Sequence, residues 1–189
     1  MKICVFGGMF DPPHIGHEEI VAKLVEKFDK IIIVPSKVTP AKEHKPAVSD
    51  FHRMKMLSLC NFPNTSKCVI SDYEITSCKS PSYTINTLRY IKNRFKKSDI
   101  SIAIGLDQLN NFNSWYKSKE IISIAKIVCF NRKVKSKKKI SVNYEFINNF
   151  DYNISSSDIR DTILRGNNQF RTMVSENIFN YIIKENLYK

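Results

Sequence analysis

Short apolar runs rich in β-branched residues recur along the chain at Lys2–Phe6, Lys30–Val34, Lys67–Ile70, Ile100–Ile104 and Lys126–Phe130. Runs of this length and composition predict buried strands. Between them, apolar positions recur three and four residues apart. Ile20, Leu24 and Phe28 share one face with Val21 and Val25, and Tyr83, Leu88, Ile91 and Phe95 repeat the pattern. That spacing predicts amphipathic helices. Strands alternating with helices imply parallel strands joined by right-handed crossovers, so the expected class is α/β, with a mainly parallel sheet and helices on both faces. Such sheets take ligands beyond the carboxyl ends of their strands. The last third reads differently. Ile140–Asn143 and Tyr152–Ile154 are expected strands, and Ser155–Leu164 and Val174–Asn186 are expected closing helices, a small C-terminal helical portion.

Composition narrows this picture. A chain of 189 residues with 42% hydrophobic content suits a single domain spanning residues 1–189. No run of about 18 apolar residues occurs, so no membrane span is expected. The apolar stretch at Met1–Phe6 stops at Gly7-Gly8; it is too short for a secretory signal, and a cytoplasmic setting is expected. The five cysteines are odd in number and form no C-x-x-C pair, which argues against a zinc site or a disulfide framework. Cys4 and Cys129 sit in apolar runs and are expected in the core. The net charge of +12 points to an anionic partner, nucleotide or nucleic acid. The run Lys133–Lys139 reads as a solvated loop. The longest loop is Pro35–Ser49, long enough to be functional.

The segment Gly7-Gly8-Met9-Phe10-Asp11-Pro12-Pro13-His14-Ile15-Gly16-His17 follows the first strand and opens the first helix. Gly7 and Gly8 carry no Cβ, so a bulky anion can approach the backbone. N–H groups at a helix start favour negative charge. His14 and His17, three apart at that start, point the same way. The combination predicts a phosphate site. It is neither the G-x-G-x-x-G fingerprint nor a Walker loop.

The string GG-x-FDP-x-H-x-GH closely resembles the H-x-G-H signature of the nucleotidyltransferase superfamily. Four further segments resemble the nicotinate-nucleotide adenylyltransferase family, in its order: Ser82-Tyr83-Thr84, Ile104-Gly105-Leu106-Asp107, Trp115-Tyr116 and Ile154–Arg160. The ending Tyr181-Ile182 … Leu187-Tyr188 is similar too, so the resemblance covers essentially the whole chain. It implies a Rossmann-like, doubly wound fold and adenylyl transfer from ATP to nicotinate mononucleotide. It further implies that Gly7, Gly8, Met9, Phe10, His14, His17, Gly105, Asp107, Ser156, Ser157 and Arg160 meet ATP, with His14, His17 and Arg160 catalytic. For the mononucleotide it implies Gly8, Lys42, Tyr83, Thr84, Trp115 and Tyr116. Physics agrees at several of these positions. A flat indole suits a flat heterocycle. A helix start at Thr84 suits a carboxylate. The fork of an arginine suits phosphate. Met9 stands where the family has Thr or Ser, Ser157 replaces a Thr, and Thr39 replaces a loop proline. Arg53 matches a recurrent family arginine without an assigned catalytic role.

A phosphate monoester is already largely dianionic near neutral pH, with its second pKa about 6. The reaction therefore needs no strong base. The histidines are expected to donate hydrogen bonds, and Mg²⁺ is expected to arrive on ATP phosphates, with no protein metal site. The alternatives are dual use of nicotinate and nicotinamide mononucleotides, adenylyl transfer to phosphopantetheine, and a basic nucleic-acid-binding module. The favoured reading takes ATP and nicotinate mononucleotide as partners, with neither nucleic acid nor membrane, and leaves self-assembly open.

Overall fold

The structure, a computed structural model, describes residues 1–38, 45–76, 81–130, 142–147 and 154–189. Its centre is a six-stranded sheet: β1 Lys2–Gly8, β2 Lys30–Pro35, β3 Cys68–Ile70, β4 Asp99–Gly105, β5 Ala125–Phe130 and β6 Tyr144–Ile147. The spatial order is β3-β2-β1-β4-β5-β6. Among the described residues every pairing is parallel, in line with the mainly parallel expectation. The chain winds outward from β1 to β3, then returns to lay β4 against the other side of β1. The switch point therefore lies between β1 and β4, where such sheets open a crevice.

The period of two along each strand sorts the core into two layers. Ile3, Val5, Ile32, Val34, Ile100, Ile102, Ile104 and Ile127 point to one face, under Ile85, Leu88 and Ile91 of α4 (Thr84–Arg94). The same layer takes Leu106 and Leu109 of α5 (Leu106–Asn110) and Ile121 of α6 (Ser118–Ile124). Cys4, Phe6, Ile31, Ile33, Ala103, Val128 and Phe130 point to the other face. There Ile20, Val21, Leu24 and Val25 of α1 (Ile15–Lys27) and Leu57 of α2 (Asp50–Ser58) cover them. Full burial of each such aliphatic side chain contributes about 1.5–3 kcal/mol. A third cluster joins Met56 of α2 to Ile159 and Ile163 of α7 (Ser156–Leu164), Ile178 and Ile182 of α8 (Glu176–Lys184), and Leu187 and Tyr188. This is the expected C-terminal helical portion, docked against α2.

Element ends moved where local chemistry overrode periodicity. Phe28 and Phe95 are the C-caps of α1 and α4 rather than helical residues. The last helix starts after its N-cap Ser175 and ends at Lys184, short of the expected Val174–Asn186. Of the strand expected at Ile140–Asn143, residues 140–141 lie outside the described residues and Val142 and Asn143 are not in a strand; β6 begins at Tyr144, where Ile127 and Phe130 of β5 find partners in Tyr144 and Ile147. Ile154 is not in a strand, and residues 152–153 of that expected strand lie outside the described residues. The run Lys133–Lys139 lies outside them as well. Cys4 and Cys129 are buried in the two layers as expected, and the described cysteines are free thiols. Burial pushes the Cys129 thiol up to about 11, which keeps it protonated and unreactive. Among the described residues, no helix is long and apolar enough to cross a membrane.

Candidate active site

At the carboxyl ends of β1, β2 and β4, the layer facing α4 loses its bulk. The row Ile3–Val5 ends in Gly7, and the row Ile32–Val34 ends in Ser36. A cavity of about 750 Å³ opens over them. Val5, Val34, Ile102 and Ile104 form its apolar floor, and Gly7 and Gly8 its edge toward the opposite face. A Cβ at Gly8 would stand 3.1 Å from the ring of Phe10, which would have to give by a few tenths of an ångström. The side walls come from the segments after β3 and β4: Glu74, Ser82, Tyr83, Thr84 and Thr87 on one side, Asp107, Trp115 and Tyr116 on the other.

Trp115 is half-buried. It packs on the core beside Phe112, with ring centroids 5.4 Å apart, and presents the rest of its indole to the cavity. Its structural and binding readings therefore coexist. Tyr116 is 53% exposed and leans over Tyr83, with ring centroids 4.6 Å apart. Thr84 opens α4. Asn86 N–H donates to the Tyr83 carbonyl at 2.9 Å, and the Tyr83 side chain offers no hydrogen bond to that helix start, so the N–H groups of Thr84 and Ile85 are the ones placed to meet an anion. Asp107 lies in the first turn of α5, at the end of β4. Gly105 is the N-cap of that helix, and its N–H donates to the Gln108 side chain at 3.2 Å.

Ser36 and Glu74 add buried polar groups to the cavity wall. Ser36 is 6% exposed, and its Oγ has no hydrogen-bond partner among the described residues. A buried hydroxyl in that state costs about 1–3 kcal/mol, a cost that a polar ligand removes. Glu74, in the short helix α3 (Tyr73–Thr76), is 9% exposed and accepts a hydrogen bond from Thr87 Oγ1. Burial pushes its carboxyl up from the ordinary value, against the hydrogen bonds from Thr87 and Ser82, which pull it down. No motif marks either residue in the sequence.

The other half of the site lies across Gly8, on the α1 face. His14 is the N-cap of α1 and is 2% exposed; His17 is partly buried one turn on. Their rings stack with centroids 3.7 Å apart, the common direction expected from their spacing. The backbone N–H of His14 donates to His17 Nδ1 at 3.2 Å. A neutral His17 therefore carries its proton on Nε2, as a donor. Phe6 and Phe10 pack edge-on under the histidines, with Phe10 4.9 Å from His17.

The loop from Met9 to Pro13 is held from below by distant parts of the chain. Phe10 sits at φ +50 with its side chain buried, a strained backbone for a bulky residue that its surroundings must impose. Phe10 can meet a ligand only through its backbone. Fully buried Arg53 donates through Nη1 to the Met9 carbonyl at 2.6 Å and pairs through Nη2 with Asp50. The Asp11 carboxylate, 1% exposed, accepts from the Ala47 N–H at 2.6 Å and from the Tyr188 hydroxyl at 2.9 Å. Burial, then the Asp11 charge, push the Tyr188 hydroxyl upward, so it stays protonated and donates. Arg53, Asp11 and Tyr188 are thus structural partners of the loop. The sequence pattern contained all three and gave no sign of their contacts.

The serine-rich start of α7 approaches the same loop. Ser156 Oγ donates to the Pro12 carbonyl at 2.8 Å, and Arg160 Nη1 donates to the Asp11 carbonyl at 2.6 Å. Arg160 Nη2 reaches Ser157 Oγ at 3.2 Å. These residues, expected to meet ATP phosphates, lie beside the histidine loop, with part of their donor capacity spent on its carbonyls. Of the residues expected at the site, only Lys42 lies outside the described ones.

Known proteins place this architecture. The Cytidylyltransferase-like family profile matches residues 5–162. A probable nicotinate-nucleotide adenylyltransferase of Fusobacterium nucleatum is 34% identical, covering 98% of each chain. One from Caldicellulosiruptor saccharolyticus is 35% identical and covers both chains completely. The solved Plasmodium falciparum nicotinic acid mononucleotide adenylyltransferase complexed with NaAD superposes with a TM-score of 0.81. It is 21% identical over 99% of this chain and 97% of its own, a likeness of fold. Kinship along the full length, joined to a parallel sheet that opens at its switch point, makes the chain a member of the nicotinate-nucleotide adenylyltransferase family.

Proposed function

We propose that the protein transfers the adenylyl group of ATP to nicotinate mononucleotide, releasing pyrophosphate and forming deamido-NAD, a step of NAD synthesis. The observation that carries this reading is the two-sided cleft over Gly7 and Gly8: an aromatic-walled cavity on one side, a histidine-bearing helix start on the other. The pyridine ring lies against Trp115, beside the Tyr83–Tyr116 pair. Its carboxylate meets the start of α4 at Thr84, and Ser36 gains the partner it lacks. ATP lies over Gly8 and the loop Met9–His14, its ribose near Asp107 and its phosphates near His14, His17, Ser156, Ser157 and Arg160. Lys42 also serves the mononucleotide.

A phosphate oxygen of the mononucleotide attacks the α-phosphorus of ATP. The bond to the bridging oxygen of the leaving group breaks, and pyrophosphate departs with its electron pair. No proton must be removed from the nucleophile. The chain's task is to hold two anions together and to stabilise charge on the transferred and departing groups. His17 Nε2–H is one such donor. Among the described residues, no three or more His, Cys, Asp or Glu side chains cluster as metal ligands. Mg²⁺ would arrive on ATP and would supply charge neutralisation at its phosphates.

The test is pyrophosphate release from ATP and Mg²⁺ with nicotinate mononucleotide, nicotinamide mononucleotide or phosphopantetheine as acceptor. The expected result is strong preference for the first. Equal use of both mononucleotides refutes carboxylate selection at α4. Release with phosphopantetheine alone refutes the assignment of the cavity.

A further inference from the structure

Glu74 is a carboxyl group buried in the wall of a cavity that, on the reading above, receives a carboxylate. A negative charge at that place opposes an incoming anion, so some other contribution must outweigh it. Its geometry supplies one. Thr84 and Thr87 lie three residues apart on α4, on one face of the helix, and both line the cavity. Glu74 accepts the hydroxyl proton of Thr87, and α3 carries it there from the end of β3. Ser82, just before α4, also hydrogen-bonds the carboxyl, and its own Oγ accepts from the Lys37 N–H at 3.2 Å. A single buried acid thus ties the residues before α4 and the first turn of α4 to the sheet.

We infer that Glu74 is a positioning residue for mononucleotide selectivity: through Thr87 and Ser82 it fixes the first turn of α4, whose N–H groups read the acidic substituent of the pyridine ring. This rests on the function proposed above. A loosened helix start harms the acid more than the amide. Hydrogen bonds to an ionised acceptor are roughly twice as strong as neutral ones and depend on the same aligned dipoles. Burial of Glu74 adds to the effect, because it disfavours the charged form that would repel the substrate.

The test compares kcat/KM for nicotinate and nicotinamide mononucleotides in the wild type, Glu74→Ala, Glu74→Gln and Thr87→Val. Glu74→Ala is expected to lower the value for the acid about tenfold, the size of one lost charge-assisted hydrogen bond, and the value for the amide less than threefold. Glu74→Gln keeps an acceptor for Thr87 and is expected to restore most of the acid-to-amide ratio. Thr87→Val removes the same bond from the helix side with little change in shape; it should reproduce the loss even if Glu74→Ala fails to fold. Equal losses with both mononucleotides, or an unchanged ratio in both Glu74→Ala and Thr87→Val, would overturn the inference and make Glu74 a scaffold residue. A wild type with no preference for the acid would overturn the assignment of the site itself.

Discussion

On the α4 side of the sheet the cleft is a cavity shaped by packing; on the α1 side it is a loop shaped by hydrogen bonds. The cavity exists because two strand rows end in Gly7 and Ser36 where bulk would otherwise continue, and because Trp115 and Tyr83 stand on core residues of the same layer. Its walls come from neighbouring elements. The loop at Met9–Pro13 packs the buried ring of Phe10 beneath the histidines. It is fixed by Arg53, Ala47, Ser156, Arg160 and Tyr188, which lie far from it in the chain. Packing tolerates substitutions that keep shape. A buried polar network does not tolerate the loss of one member, because the remaining partners are left buried and unsatisfied.

The largest expected effect separates chemistry from binding on the loop side. His17→Ala should lower kcat on the order of 10²–10³-fold, the scale of one lost transition-state donor, with a much smaller rise in either KM. Steady-state kinetics in both substrates decides it, and an unchanged kcat would remove His17 from the chemistry. Next comes the cavity side. Trp115→Ala should raise KM for the mononucleotide by about tenfold or more, since stacking on an aromatic platform contributes roughly 1–3 kcal/mol. KM for ATP should move little; equal changes in both would show that the two walls are not separable. The smallest effect tests the network. Tyr188→Phe removes one hydrogen bond to Asp11 and should cost about 1 kcal/mol of stability in a denaturant titration. It should also raise KM for ATP modestly while sparing the mononucleotide. A Tyr188→Phe protein of full stability and unaltered KM for ATP would mean that the loop keeps its shape without this anchor.

The same contrast explains what the sequence disclosed. The β-branched runs mark β1, β2, β4 and β5 because burial on both faces lets apolar residues run on without alternation; β3, at the sheet edge, has no fully buried residue although its run is just as apolar. The paired histidines stand out because their spacing and the preceding glycines have few other uses. Trp115 and Thr84 are legible through local motifs. Ser36 is not, since a serine after Val34-Pro35 looks like any loop residue until the cavity beneath it is seen. Glu74 looks like a surface acid in a polar stretch, and its burial follows from where α4 packs. The contacts of Arg53, Asp11 and Tyr188 join positions up to 177 residues apart, beyond any local pattern. The bounds of β6 are hidden for a related reason: its position follows from pairing with β5 rather than from its own alternation.

The anchoring of the Met9–Pro13 loop sets an order in time. Its supports at Ala47, Arg160 and Tyr188 follow Asp11 by 36, 149 and 177 residues. At a synthesis rate of about 5–20 residues per second, Tyr188 emerges on the order of 10–35 s after Asp11. Through that interval the sheet and the cavity beside α4 can assemble, while Asp11 waits without its last partner. The nascent protein thus carries both histidines early, yet gains the anchored form of the Met9–Pro13 loop only when α7 and the segment bearing Tyr188 dock; on the proposed function, nucleotide binding would follow that docking rather than precede it.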